Sequence, residues 1–332
     1  MSQHFLLSSR ARNLSLVNVL RMSDQEAEAA FCKVRWPHSE GKPVCPHCAC
    51  QSIYTARRAS GALRFRCKAC RKDFTVTSGS LFASHKLPLQ VYLAAIAIFV
   101  NEVKGKSALA LSRDLGCQYK TAYVLAHKLR EAMAAEMKGR MVGGAGRVVE
   151  VDGGYFGGYV KPANMKENRH DRRLVRHQTG KRQVVVVMRE RDGFTLPAVF
   201  KSESAALGYI SSRVAKGTHL MADEASSWND LHARFDVSRI DHSRLYSDRS
   251  GVYTNGAEEF FSRMRRAEIG HHHHIAGKYL IRYAQEASWR EDHRRTSNGD
   301  QLQRVAMLAL NATASVDWSG YWQRNSKNKE AI

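Results

Sequence analysis

The chain is 332 residues long and carries 52 Lys and Arg against 31 Asp and Glu, a formal net charge of +21 at pH 7. That excess calls for a polyanionic partner, nucleic acid ahead of an acidic membrane surface, and the length allows two or three domains with their own cores. The apolar run Leu87 to Val100 is too short for a membrane span, and seven cysteines, four of them in tight pairs, favour metal binding over a disulfide framework.

The first segment, residues 1–40, reads as helical. Its opening stretch, MSQHFLLSSRARNLSL, lacks the apolar core and cleavage site of a signal peptide, so a cytoplasmic protein is expected. Ser23 stands at an N-cap with Glu26 three residues on, and Ala27, Ala30 and Phe31 follow at helical spacing until Trp36-Pro37 breaks the pattern. The helix is read as a support for the next module, with a small adaptor to DNA as the alternative.

Residues 41–80 carry Cys45-x2-Cys48 and Cys67-x2-Cys70, separated by residues 49–66. Each pair forms a knuckle with two thiolates pointing one way, and two knuckles close a tetrahedral structural Zn²⁺ shell. Short strands at Ile53-Tyr54-Thr55 and Leu63-Arg64-Phe65-Arg66 complete a zinc ribbon. Cys50 is a spare thiol, and Arg57, Arg58, Arg64, Arg66, Lys68, Arg71 and Lys72 suit phosphate contacts.

Residues 85–138 read as all-helical. Ser107 to Leu115, the turn at Gly116 and Tyr119 to Met133 have the form of a helix-turn-helix, whose second helix would offer Gln118, Tyr119, Lys120 and Thr121 to DNA. Such hairpins also serve as plain packing units. Residues 139–146, GRMVGGAG, read as a linker.

The fifth segment, residues 147–296, opens with RVVEVDGGYFGG. Val148, Val149 and Val151 suit a buried strand. Asp152 follows at its end, and Gly153-Gly154 is expected to stop regular pairing. Such an Asp can simply cap a turn. The pattern recurs, however, in His219 to Asp223, and a third acidic pair, Glu258-Glu259, opens an apolar, basic segment. Two strand-end aspartates and a helix-borne carboxylate are what a two-metal phosphoryl-transfer site needs, because hard divalent cations take oxygen ligands.

Between the first two acids lies a basic run from Lys161 to Arg182 that includes Arg172 and Arg173 and is placed to hold DNA over the site. A hairpin follows, RQVVVVM and FTLPAVF joined through Asp192-Gly193, then a helix over 204–216. Thr254-Asn255-Gly256 can cap a helix that puts Glu258 and Arg265 on one face, where a base could hold a phosphate or merely pair with the acid. The run His271 to His274 proves no metal site. Tyr283, Glu286, Arg290 and Arg294 are spaced to share a helical face, and residues 297–332 add one helix and a polar tail.

In this order the segments resemble an insertion-sequence DDE transposase of the zinc-ribbon-bearing, ISXO2-like (IS1595) branch. The stretches that carry the resemblance are CPHC…CKAC, VEVDGGYFGG, the Asp223 strand, YTNGAEEFFSRMRR and GHHHHIAGKYLIRYAQEASWR. It implies a multidomain α+β chain: zinc ribbon, helix-turn-helix, then a ribonuclease H-like α/β catalytic domain with a mixed sheet. It further implies Asp152 and Asp223 as ligands of two catalytic Mg²⁺ or Mn²⁺ ions. The third ligand is either Asn255 or Glu258, and Arg265 stands where the family often has Lys. Glu286, Arg290 and Arg294 match the acidic-basic motif that follows. The implied activity is cleavage and joining of double-stranded DNA at the element's terminal repeats and at its target. The implied state is a homo-oligomer on DNA in the bacterial cytoplasm, without a membrane partner. A zinc-ribbon DNA-binding regulator with a degenerate C-terminal domain is the alternative, and the retained acids speak against it.

Overall fold

The computed structural model describes residues 4–59, 61–158, 163–170, 177, 180–240, 251 and 253–324. The chain forms two compact units, Met1–Glu136 with His293–Ile332, and Met137–Asp292.

The first unit begins with α1 (Leu16–Arg21) and α2 (Asp24–Arg35). Ser23 caps α2 as its sequence requires. Its hydroxyl accepts from the Glu26 N–H at 3.2 Å, and the Glu26 carboxylate accepts from the Ser23 N–H at 2.8 Å, which satisfies two end donors reciprocally. The ribbon follows as β1 (Ile53–Arg57), β2 (Leu63–Cys67) and β3 (Asp73–Phe74), an antiparallel sheet in that order.

So small a sheet cannot bury a core of its own, and α2 supplies the missing half. Trp36 meets Phe65 and Phe74 edge-on at 5.7 and 6.4 Å. Arg35 donates to the carbonyls of Val76 and Ser78 at 2.5 and 2.7 Å. Glu28 accepts from Arg57 at 2.7 Å and from the Leu63 N–H at 3.1 Å. The helix therefore belongs to the ribbon it precedes.

Next comes α3 (Leu89–Asn101), buried continuously from Tyr92 to Val100 as a helix apolar on all sides must be. Then α4 (Ala108–Asp114) is capped by Ser107, whose hydroxyl accepts from the Ala110 N–H at 3.1 Å. Gly116, at φ +60°, makes the left-handed turn into α5 (Tyr119–Ala135).

The second unit holds β4 (Val142–Gly143), β5 (Val148–Phe156), β6 (Gln183–Glu190), β7 (Thr195–Phe200), α6 (Leu207–Arg213), β8 (Val214–Ala215), β9 (His219–Asp223), β10 (Asp236–Ile240), α7 (Asn255–Ala267) and α8 (Leu280–Asp292). Its five-stranded sheet has the order β10-β9-β5-β6-β7. Strands β10, β9 and β5 run parallel, and β6 is antiparallel to both of its neighbours. The β6–β7 hairpin turns at Asp192, φ 55°, where Glu190 N–H meets the Phe194 carbonyl at 3.0 Å. One sheet face packs on α7 and α8 through Phe156, Val185, Val187, Phe260, Phe261, Met264 and Leu280.

Two expectations are corrected here. Residues 139–146 are more than a linker, because Val142 and Gly143 pair in parallel with Val214 and Ala215. Gly153-Gly154 does not stop β5, which runs on to Phe156 with Gly153 opposite Val186 and Gly154 opposite Val185. What those glycines permit is close approach. A Cβ on Gly154 would lie 2.5 Å from the Phe261 ring, and one on Gly153 would lie 2.6 Å from Glu203 Oε1.

The chain then returns to the first unit as α9 (Asn298–Asn311), which packs on α2, α3 and α5. The sequence reads this stretch as an appended helix and tail, yet Ala309 accepts from the Leu81 N–H at 3.1 Å and Trp318 stacks on His127 at 4.1 Å.

Candidate active site and structural metal centre

The ribbon site forms first along the chain. Cys45 and Cys70 sulfurs lie 3.6 Å apart, as do those of Cys48 and Cys67, and all four fall within 4.8 Å of one another. Tetrahedral Zn–S bonds of about 2.3 Å require sulfurs roughly 3.8 Å apart, so the donor set and its spacing both fit zinc. The knuckle backbone favours one thiolate: the Cys70 N–H donates to Cys67 Sγ at 3.5 Å and holds that thiol down at about 6. Cys50 stands outside the set, its sulfur accepting from the Ser52 N–H at 3.3 Å.

The acidic site is assembled from β5, β9, α7 and the chain after β7. The last parallel pair of β5 and β9 is Val151 with Ala222, so Asp152 and Asp223 emerge side by side one step later. Asp152 Oδ1 accepts from the Gly153 N–H at 2.7 Å. Asp223 Oδ1 accepts from the Trp228 indole at 2.7 Å and from the Ala225 N–H at 3.2 Å. The second oxygen of each aspartate takes no hydrogen bond from a described residue. Burial pushes the Asp152 carboxyl up to about 7, and the charge of Asp223 adds to it; the Gly153 N–H opposes, while Glu203 and Glu258 push further up. Four carboxylates thus share one neighbourhood, and their mutual repulsion is what a bound divalent cation relieves. They are spread wider than the sulfurs: among the described residues, only the four cysteines gather within 4.8 Å.

Glu258 is half-buried in the first turn of α7, and Asn255, its first residue, is exposed. Arg265 is exposed in the last turn, its guanidinium 5.8 Å from the centre of the Phe261 ring. Glu286 and Arg290 form a buried ion pair at 2.8 Å on α8. Arg294 lies beyond the end of that helix, so the expected shared face stops at Arg290. The histidine run straddles a wide helical turn, Glu268–His272, with His272 against the Tyr283 ring at 4.7 Å. Gln118, Tyr119 and Lys120 are exposed at the start of α5 and Thr121 is half-buried, while the Trp322 indole donates to the Lys120 carbonyl at 3.2 Å. Arg172 and Arg173 lie outside the described residues.

Three side chains absent from the sequence reading shape this site. Glu150, fully buried two residues before Asp152, shares its face of β5. It accepts from the Ala257 N–H at 3.0 Å and from Arg191 Nε at 3.0 Å. Arg191 in turn donates to the Tyr253 carbonyl at 2.9 Å and covers that ring at 3.5 Å. A buried carboxylate on the free N–H groups of a helix start fixes α7, and with it Glu258, against β5. The alternation Glu150-Val151-Asp152 was the available signal. The other two, Trp228 and Glu203, had none, since each reaches the site only through the fold.

Comparison with known families places this geometry. Residues 142–292 match the family described as ISXO2-like transposase domain, and residues 22–73 match the transposase zinc-ribbon domain. The second match starts just before α2, in keeping with the bonds that tie α2 to the ribbon. The chain is a transposase by class. Within that class it belongs to the ISXO2-like family, with its zinc ribbon preceding its transposase domain. No curated protein matches it significantly.

Proposed function

We propose that this transposase binds the terminal repeats of its element and cleaves and joins DNA at the site formed by Asp152, Asp223 and Glu258. The observation that carries the reading is the pair of aspartates side by side at the ends of adjacent parallel strands. Each has one oxygen pinned by the protein and the other bare. The order β10-β9-β5-β6-β7, with its one antiparallel neighbour of the central strand, supports a ribonuclease H-like domain. Glu258 is preferred to Asn255 as the third ligand, because it carries a charge that Asp152 feels and Asn255 points to solvent.

Two Mg²⁺ or Mn²⁺ ions, when bound there, supply Lewis acidity to the attacking and leaving oxygens of the phosphodiester. The protein's own residues do the positioning. Asp152 and Asp223 present bare oxygens from a rigid sheet, Trp228 locks the Asp223 rotamer, and Glu150 holds the first turn of α7 in place. Arg265, carrying a permanent charge, is assigned to DNA phosphate. In the first unit, α4 and α5 act as a helix-turn-helix with Gln118, Tyr119, Lys120 and Thr121 toward DNA, and the ribbon with structural zinc adds phosphate contacts. Assembly on paired element ends as a homo-oligomer, and action within the bacterial cytoplasm, complete the reading. The test is Mg²⁺-dependent nicking of a labelled terminal-repeat duplex, run beside a gel shift. Asp223→Ala is expected to abolish nicking and leave the shift in place, and full nicking by that variant ends the proposal.

A further inference from the structure

We propose that the C-terminal segment is part of the DNA-binding surface: Trp322 and the first turn of α5 form one face that receives the duplex of the terminal repeat. This rests on the reading of α4 and α5 as a helix-turn-helix.

The second helix of such a motif lies in the major groove and reads bases from its N-terminal end. On α5 little more than that end is available. Gln118, Tyr119 and Lys120 are exposed, whereas every residue from Leu125 to Arg130 is buried. The face that begins at Tyr119 continues through Tyr123 and His127, each about one turn further on, and the C-terminal segment lies on it. Trp318 stacks on His127 with its plane 13° from parallel. The rings of Trp318, Tyr321 and Trp322 each stand 6.0 Å from that of Tyr123.

This cover is anchored. Thr313 forms an antiparallel bridge with Ser80, and the Trp318 N–H donates to the buried Ser315 hydroxyl at 3.0 Å. Displacing it would uncover the buried His127 and Trp318 rings together, so the segment stays on α5 when DNA arrives. What faces outward is then a joint surface. The Trp322 indole N–H donates to the Lys120 carbonyl at 3.2 Å, and the Lys120 ammonium stands 5.3 Å from the indole centre. Tyr119 is 47% exposed and Trp322 36%. Residues 118–124 and 318–324 contain no acid, in a chain whose net charge is +21. Exposed aromatic rings with polar edges, beside a lysine and a glutamine, suit a polyanion that also offers sugars and base edges, which is DNA.

The test uses that exposure in the intact protein. Trp36, Trp228, Trp289 and Trp318 are buried and Trp322 is exposed, so acrylamide quenching of tryptophan fluorescence reads Trp322. Terminal-repeat duplex is expected to remove most of the quenchable fraction, and Trp322→Phe should lack that fraction from the start. In fluorescence anisotropy with labelled duplex, Trp322→Ala should bind about tenfold more weakly and Trp322→Phe within about threefold of wild type. Lys120→Ala is the reference, expected to weaken binding and to lower the salt slope by about 1. Weak binding by Lys120→Ala, with wild-type affinity in Trp322→Ala and quenching that DNA leaves unchanged, overturns this inference and leaves the helix-turn-helix reading standing. Wild-type affinity in both variants overturns both. Tighter binding by Trp322→Ala marks the segment as a cover that DNA must displace. Shielding that grows with protein concentration without DNA marks a contact between copies. Either of these results overturns the inference as well.

Discussion

In the ribbon, four sulfurs from two knuckles lie within 4.8 Å of one another, a spacing that fits a tetrahedral zinc shell. At the acidic site, Asp152, Asp223 and Glu203 each spend one oxygen on a protein donor and keep the other bare, and the carboxylates are spread wider. Soft ligands in a closed shell hold a fold together; hard ligands with open positions leave room for water and substrate oxygens. The same contrast runs through the support of each site. The ribbon leans on α2 and three aromatic rings, whereas the acids are held by hydrogen bonds from Gly153, Ala225, Trp228 and Ser227 that fix rotamers one by one. A structural centre takes its whole shell from the protein; a catalytic one keeps positions for water and substrate.

The largest effect is expected from breaking the closed centre. Cys67→Ser removes one of four thiolates from a site whose metal binding is folding free energy, on the order of 10 kcal/mol in small zinc modules. Elemental analysis should find no zinc in this variant, and limited proteolysis should cut within residues 41–80. A full zinc equivalent bound to Cys67→Ser would contradict the ribbon assignment. Beside it, Asp152→Ala should keep its zinc and an intact ribbon, because the two centres use different ligands.

A smaller effect sharpens the open centre. Glu258→Ala should slow nicking about a thousandfold, equivalent to roughly 4 kcal/mol of transition-state stabilisation. Asn255→Ala should stay within about tenfold of wild type on the same scale. The reverse order in a nicking time course would move the third ligand to Asn255.

The smallest concerns the cost of the open site without metal. The Asp152 carboxyl is pushed from 3.8 up to about 7 by burial and by its acidic neighbours. The folded state therefore binds this proton more tightly than the unfolded state does. Its destabilisation is absent below about pH 4, grows as the pH rises to about 7 and is constant above. Asp152→Asn removes it, so the metal-free variant should be more stable than wild type at pH 8 by on the order of 2–4 kcal/mol, while the two converge toward pH 4. Chemical unfolding at the two pH values checks this, and equal stability at pH 8 would show that the carboxylate is not strained.

What could be read along the chain follows from the same contrast. The ribbon is legible because its ligands come in two local CxxC pairs, and the strands between them are its only spacer. The capping box of Ser23 and Glu26, the Asp192-Gly193 hairpin and the strand at His219 to Asp223 were legible for the same reason, since each is decided within a few residues. Asp152 and Asp223 were found by a repeated pattern, apolar strand then acid. Glu203 and Trp228 were not, because their roles depend on where β7 and the turn after β9 end in space. Glu150 lay between: its alternation with Asp152 was visible, but its partner, the start of α7, was not. The double glycine was misjudged since local rules associate Gly-Gly with a break, whereas here tertiary neighbours, Phe261 and Glu203, occupy the space a side chain would need.

The most direct measurement of the central claim is strand cleavage by Asp152→Asn, a substitution that keeps the shape of the side chain and removes its charge. A labelled terminal-repeat duplex is incubated with wild type and variant over a Mg²⁺ series, with a gel shift on the same samples. The expected outcome is a full gel shift with no nicking by the variant at Mg²⁺ concentrations that saturate wild type. Nicking by Asp152→Asn at the wild-type rate and with the wild-type Mg²⁺ dependence would show that the cations act elsewhere in the protein.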